Sequence, residues 1–397
     1  MSKMKNIIGT PARGDDFLQR GKEIRKITKG INEGANIQLA APRRVGKTSI
    51  LMYLLDNKID GHHYIYVDTE AIDNSNDYFK KLYSAIVNSE LISGSAKAIQ
   101  QLKEAGNSFL RKIKSLSVSG TGIELNDEGG LNYYVELTNL LKGIKIEDSK
   151  LVVMIDEFPY TLNNIIEKTG SKNGAITLLQ ENRTLRQDPE INLNIQFIYT
   201  GSIGLNTTVE NIDATALIND ILSIKVLPIS FEEGEFLISE ILKYEQKIIN
   251  PNNLTFLLKR VEWLTPFYIK LIIKEIVDLM TEEEKEITDS IINDAFSEII
   301  DYRNNNYFEH YYSRLKGFFS GNDFKFIITL LNYIVKNNTI SKSEIFNIAT
   351  KHNIKDNYKT LIHTLIYDGY IHSEDDNENY RFNSPILKLW WKKYITN

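Results

Sequence analysis

The chain has 397 residues of average apolar and charged content (42% and 25%), enough for two or three domains. Its lack of cysteine excludes disulfides, Cys-ligated zinc, iron–sulfur clusters and thiol catalysis, and its 8 prolines and 22 glycines leave little room for a low-complexity tail. A net charge of −5 excludes a globally basic polyanion binder, and no apolar run approaches the ~18 residues of a membrane span, so we read a soluble, cytoplasmic protein with no membrane partner.

From about 36 to 205, short apolar runs alternate with segments of helical spacing. The runs 36–40, 64–67, 151–155 and 195–199 predict strands; 48–56 and 77–88 predict helices. The strand runs are continuously apolar rather than alternating, which implies burial on both faces and therefore a parallel sheet covered by helices. Residues 95–135 break the pattern. Alternation around Gly120 and Gly122 predicts an inserted β-hairpin, either an oligomer or partner contact or a surface decoration. From 230 to 318 the pattern is helical, as at 232–245 and 266–280, and the acidic run 281–287 reads as a solvated helix start. Helical stretches at 323–336, 341–352 and 356–367, a hairpin at 370–382 and a helix from Pro385 follow the order of a winged helix. The expected division is a core over 1–228, a helical lid over 229–318 and a winged helix over 319–397.

The chemistry concentrates at two places. Ala41-Pro42-Arg43-Arg44-Val45-Gly46-Lys47-Thr48, followed by Ser49, leaves a strand and opens a helix, the setting of a phosphate-binding loop. Backbone N–H groups and the helix N-terminus cradle phosphate there, Lys47 bridges phosphate oxygens, the Thr48 hydroxyl ligates Mg²⁺, and Gly46 lets the backbone approach closely. The strand Leu151-Val152-Val153-Met154-Ile155 ends in Asp156 and Glu157. Acids at the C-terminal end of a buried parallel strand lie in the ligand crevice, Asp156 to hold the metal and Glu157 to orient and deprotonate an attacking water. The pair points to nucleotide hydrolysis. Thr200 and Ser202 end the fourth strand, either as γ-phosphate sensors or as a plain turn. Arg183 and Arg186 read as arginine fingers or a solvated helix end, and Arg43 and Arg44 as phosphate contacts or partners of acids elsewhere.

APRRVGKTS, LVVMIDEFPY and IYTGSIGL, in this order and spacing, resemble the archaeal-type ATPase family of AAA+/STAND P-loop ATPases related to origin-recognition proteins. The resemblance implies a P-loop α/β core with a helical lid and a C-terminal winged helix, binding ATP and Mg²⁺ between core and lid. Pro11, Phe17, Arg20 and Glu23 resemble the family's adenine-packing segment, and Pro266 matches the proline of its lid segment. Asp368-Gly369-Tyr370, Tyr380-Arg381-Phe382-Asn383-Ser384-Pro385 and Trp390-Trp391 look like its winged-helix ending.

Residues 311–397 carry 12 lysines and arginines against 8 acids, so the last domain is mildly basic, yet the wing tip 373–378 holds four carboxylates that repel phosphate. Lys351, Lys355 and Lys359 lie near its third helix as backbone contacts, with Asn357 and His363 as base readers, if it binds DNA. Three readings stand. The first is a nucleotide-controlled switch that oligomerises or docks a partner protein, with defence or mobile-element control as one setting. The second is a DNA-binding ATPase, and the third a nucleotide-binding module with negligible turnover. The acidic wing favours the first over the second; Glu157 argues against the third.

Overall fold

The computed structural model describes residues 4–93, 130–146, 148–374 and 378–396. The hairpin expected around Gly120 lies outside them. The chain forms two compact bodies, one of Gln19–Ala41 with Lys47–Val226, the other of Met1–Leu18, Pro42–Gly46 and Leu227–Asn397.

The first body is built on five parallel strands: β1 (Asn36–Ala40), β2 (His63–Asp68), β3 (Leu151–Asp156), β4 (Ile195–Thr200) and β5 (Ile221–Lys225), in spatial order β2-β3-β4-β1-β5. Every residue of β1, β3 and β4 is buried, as the continuous apolar runs require. Side chains alternate across the sheet. Ile65, Val67, Leu151, Val153, Ile155, Phe197 and Tyr199 join one core cluster. Tyr64, Tyr66, Val152, Met154 and Asp156 therefore face the other way. The fifth strand carries no signal in the sequence pattern. As an edge strand it leaves Leu222 and Ser223 exposed, so Ile-Leu-Ser-Ile-Lys forms no continuous apolar run.

The second body begins with helices Phe231–Tyr244, Pro251–Val261, Pro266–Leu279 and Asp289–Glu298. Ser230 and Glu233 cap the first of these reciprocally, which fixes where it starts. The acidic run 281–287 is not a helix start. Thr281 and Glu284 bond each other, Lys247 Nζ donates to the carbonyls of both, and Glu286–Ile287 (β7) pairs with Ile248–Ile249 (β6), so the next helix waits for the Thr288 cap. After helix Glu309–Phe318 come Gly321–Asn337, β8 (Ile340–Ser341), Lys342–Lys351, Tyr358–Tyr367, β9 (Ile371–Ser373), β10 (Asn379–Phe382) and Pro385–Tyr394, the order of a winged helix. Its small antiparallel sheet runs β8-β10-β9.

One hydrophobic cluster runs through this whole body, from Leu237 and Ile272 to Leu330 and Trp391. The aromatic stretch 302–312 joins its parts: Phe308 stacks on Trp390 with ring centroids 6.0 Å apart, and Tyr312 meets Trp391 edge-on at 6.0 Å. The two indoles satisfy their N–H groups on Asn305 (2.8 Å) and Asn332 (2.9 Å), so both are buried without a polar cost. Truncating Trp391 to Ala opens a cavity at this junction and is expected to lower the unfolding free energy by about 3–5 kcal/mol in urea titration.

Candidate functional site

The sheet order decides where the chemistry meets. Strand β4 lies between β1 and β3, and the helix that opens at Lys47 brings Thr48 to the acid that ends β3. Thr48 Oγ1 donates to Asp156 Oδ2 at 2.9 Å. Lys47, buried, places Nζ 2.8 Å from the carbonyl of Ala41 at the loop's own entrance. Asp156 is only 3% exposed. Its Oδ2 accepts a second hydroxyl, Tyr66 at 3.1 Å, and its Oδ1 accepts the N–H of Glu157 at 3.1 Å. Burial, and then the charge of Glu157, push the Asp156 carboxyl up to about 6, while Thr48, Lys47 and Tyr66 pull it back. Thr48 and Asp156 thus offer hard oxygen donors side by side. That set fits Mg²⁺, which is commonly held by one or two protein oxygens with water and phosphate completing the shell.

Glu157 sits in the left-handed region (φ 58°) at the turn into helix Phe158–Thr169. That turn aims its carboxylate across to the end of β4. There Oε2 accepts both the N–H (2.8 Å) and the hydroxyl (3.0 Å) of Ser202. Gly201 makes the approach feasible, because a Cβ at this position would lie 2.6 Å from Pro159 Cδ. Of the two candidate sensors, Ser202 therefore serves Glu157. Thr200 is buried at the strand end, and its Oγ1 has no hydrogen-bond partner among the described residues.

Residues 42–46 of the loop pack in the second body. The backbone angle of Gly46, φ 99°, is what requires glycine, for a Cβ there would meet no protein atom within 4 Å. Arg44 also lies in the left-handed region, φ 69°, and its guanidinium stands 4.3 Å over the ring of Phe267, next to Pro266 at the first turn of its helix. Pro42 packs on the Asp368-Gly369-Tyr370 turn so closely that a Cβ on Gly369 would lie 2.7 Å from its Cβ. His310 completes this neighbourhood. Burial and the charges of Arg43, Arg44 and Arg314 push its imidazole down to about 2.

The other residues that the sequence singles out divide. Arg186 is neither a finger nor a solvated helix end. It is fully buried, bonds both oxygens of Asp220 (2.8 and 3.0 Å) and donates to Leu217 O, which leaves it no reach beyond its own body. Arg183 is tied to Asn219 at 2.8 Å and to the carbonyl of Ala216. Phe17 is buried in the second body and Pro11 is exposed, whereas Arg20 is buried in the first and pairs with Glu23 at 2.9 Å. Lys351, Lys355, Lys359 and His363 are all exposed, with Lys355 Nζ 5.7 Å above Phe346. Tyr66 is a site residue that no motif marks. The alternation of His-Tyr-Ile-Tyr-Val-Asp sets it on the face opposite Ile65 and Val67, but only the pairing of β2 with β3 puts it beside Asp156.

With this geometry in hand, the chain can be set beside solved structures. It matches the Walker-type ATPase PABY2304 of Pyrococcus abyssi at 16% identity over 98% of this chain and 99% of that one, with a TM-score of 0.64. The ORC2 protein of Aeropyrum pernix, solved as ADPNP–ADP complexes, matches at 13% identity over 93% and 90%, with a TM-score of 0.53. The fold is that of a P-loop ATPase. At these identities the likeness carries the fold alone. No protein-family model matches the chain, and no curated protein does. No described helix is long and apolar enough to cross a membrane.

The depressed imidazole of His310 has a consequence for stability. Its folded value lies below the ordinary 6.5, so its contribution is fully present above pH 6.5 and is lost as pH falls from there towards 2. At pH 5.0 the loss amounts to about 2 kcal/mol. Urea titrations of His310→Gln are expected to show a pH 7.5-to-5.0 drop smaller than that of the unsubstituted chain by about this amount.

Proposed function

We propose that this protein binds and hydrolyses ATP and uses the cycle as a conformational switch. The observation that carries the reading is the grouping of Lys47, Thr48, Asp156 and Glu157 at one sheet edge, with Thr48 bonded to Asp156 and Glu157 held by Ser202. The loop N–H groups and Lys47 bind the β- and γ-phosphates. Thr48 and Asp156 would hold magnesium, which when bound neutralises the phosphate oxygens. Ser202 bonds one oxygen of Glu157, and in this reading the other takes a proton from the attacking water. As the water oxygen bonds to the γ-phosphorus, the bond to the β,γ-bridging oxygen breaks and leaves ADP and phosphate.

The packing of Pro42 on Gly369 and of Arg44 on Phe267 supports the switch. In this reading, phosphate binding and cleavage change the shape of residues 42–46, which pack with the lid and winged-helix elements. The output is assembly with further copies or docking of a partner protein. A second reading, duplex DNA as the partner, draws on the exposed face of helix Tyr358–Tyr367, where Lys359 and His363 lie one turn apart near Lys355. Against it stand the acids flanking the wing. Glu374 and Glu378 lie near Arg381 and Lys342, at 3.7 and 3.1 Å, and cancel cations a duplex would need.

Steady-state ATP turnover separates these readings. Lys47→Ala is expected to weaken nucleotide binding, and Glu157→Gln to keep binding while lowering turnover by about 10²–10⁴-fold; unchanged turnover in both variants would remove the assignment. Activity that rises with protein concentration and ignores duplex DNA supports the self-assembling switch. Stimulation by DNA that is lost in Lys355→Glu with Lys359→Glu, and in high salt, supports the duplex reading instead.

A further inference from the structure

Among the described residues three donors fix the carboxylate of Asp156, and they are not equivalent. The N–H of Glu157 reaches Oδ1 from the adjacent residue, whose backbone is in the left-handed turn. The Thr48 hydroxyl reaches Oδ2 from the helix that follows the phosphate loop and has a second task, offering its oxygen to a cation. Tyr66 stands on β2, a different strand, with its hydroxyl 3.1 Å from Oδ2.

The strand register explains why a tyrosine stands there. Asp68 is the ladder partner of Asp156, and Tyr66 is the partner of Met154, two residues earlier. Two residues along a parallel strand advance about 6.6 Å, a span that a tyrosine side chain covers and a serine or threonine does not. Alternation puts Tyr66 on the face of Asp156, the face away from the Ile65–Val67 core. The phenol O–H donates to the carboxylate oxygen, which can only accept.

We infer that Tyr66 is a positioning residue for the magnesium site: it holds Asp156 Oδ2 in the orientation that meets a metal–nucleotide complex bound at Thr48. The inference rests on the nucleotide reading above and deepens it. Donors behind a ligating carboxylate orient it for the metal, and losing one costs about 10–100-fold in metal affinity in comparable sites. Tyr66 does not touch the nucleotide or the reacting water; it acts through Asp156.

The test is Tyr66→Phe, which keeps the ring and deletes the donor. Binding of a fluorescent ATP analogue is titrated against magnesium in EDTA-buffered solution, with turnover as a second measurement. Tyr64→Phe is the control, since Tyr64 is on the same face of the same strand but bonds Ile59 O at 3.4 Å. The expected result is a half-point for magnesium raised about tenfold or more in Tyr66→Phe, metal-free nucleotide affinity unchanged, and neither altered in Tyr64→Phe. An unchanged half-point in Tyr66→Phe, with a normal magnesium response in the parent chain, overturns the role of Tyr66 and leaves the nucleotide reading standing. An equal loss of binding with and without magnesium also overturns it, because that is the mark of general damage. Absence of any magnesium effect in the parent chain overturns both.

Discussion

The hydrogen bond from Thr48 to Asp156 joins residues 108 positions apart and closes the site. It exists only because β4 inserts between β1 and β3, with all three strands parallel and ending at the same edge. Parallel pairing puts every strand's C-terminal end on one side of the sheet, so residues that leave those ends meet whatever their distance in sequence. The phosphate loop, the acid pair and the Gly201–Ser202 turn are three such exits.

The same edge carries costs that the rest of the fold sustains. Asp156 is a nearly buried carboxylate next to a second acid, and burial and that neighbouring charge raise its proton affinity. Glu157 and Arg44 take left-handed backbone conformations that side chains other than glycine rarely adopt. Such local penalties persist where surrounding packing over-determines the backbone. Here the fully buried β3 and the helix it enters hold Glu157, while Phe267 supports Arg44 from beneath.

The phosphate loop belongs to neither body alone. Its ends, Ala41 and Lys47, continue elements of the sheet body, while Pro42–Gly46 pack with the elements that follow Val226. Within that body Pro42 fits closely on Gly369 and Arg44 sits over the ring of Phe267.

By itself the sequence determined what depends on local pattern. Continuous apolar runs marked β1 to β4 to within a residue at each end, the glycine-lysine-threonine turn marked the loop, and the spacing after 320 marked three helices, a hairpin and a closing helix. These are readable because hydrophobic periodicity, caps and turn residues act over a few positions. Tertiary structure decided everything that depends on a distant partner. Edge strand β5 has one face unburied and so lacks the apolar run that reveals a central strand. Arg186 reads as a surface cation until Asp220 is brought against it, 34 residues on. Ser202 becomes the holder of Glu157, and Tyr66 the support of Asp156, only through the lateral order and register of the strands. Spacing along the chain specifies which side chains share a face; which of them share a site is set by the pairing of strands, and that is a property of the whole folded sheet.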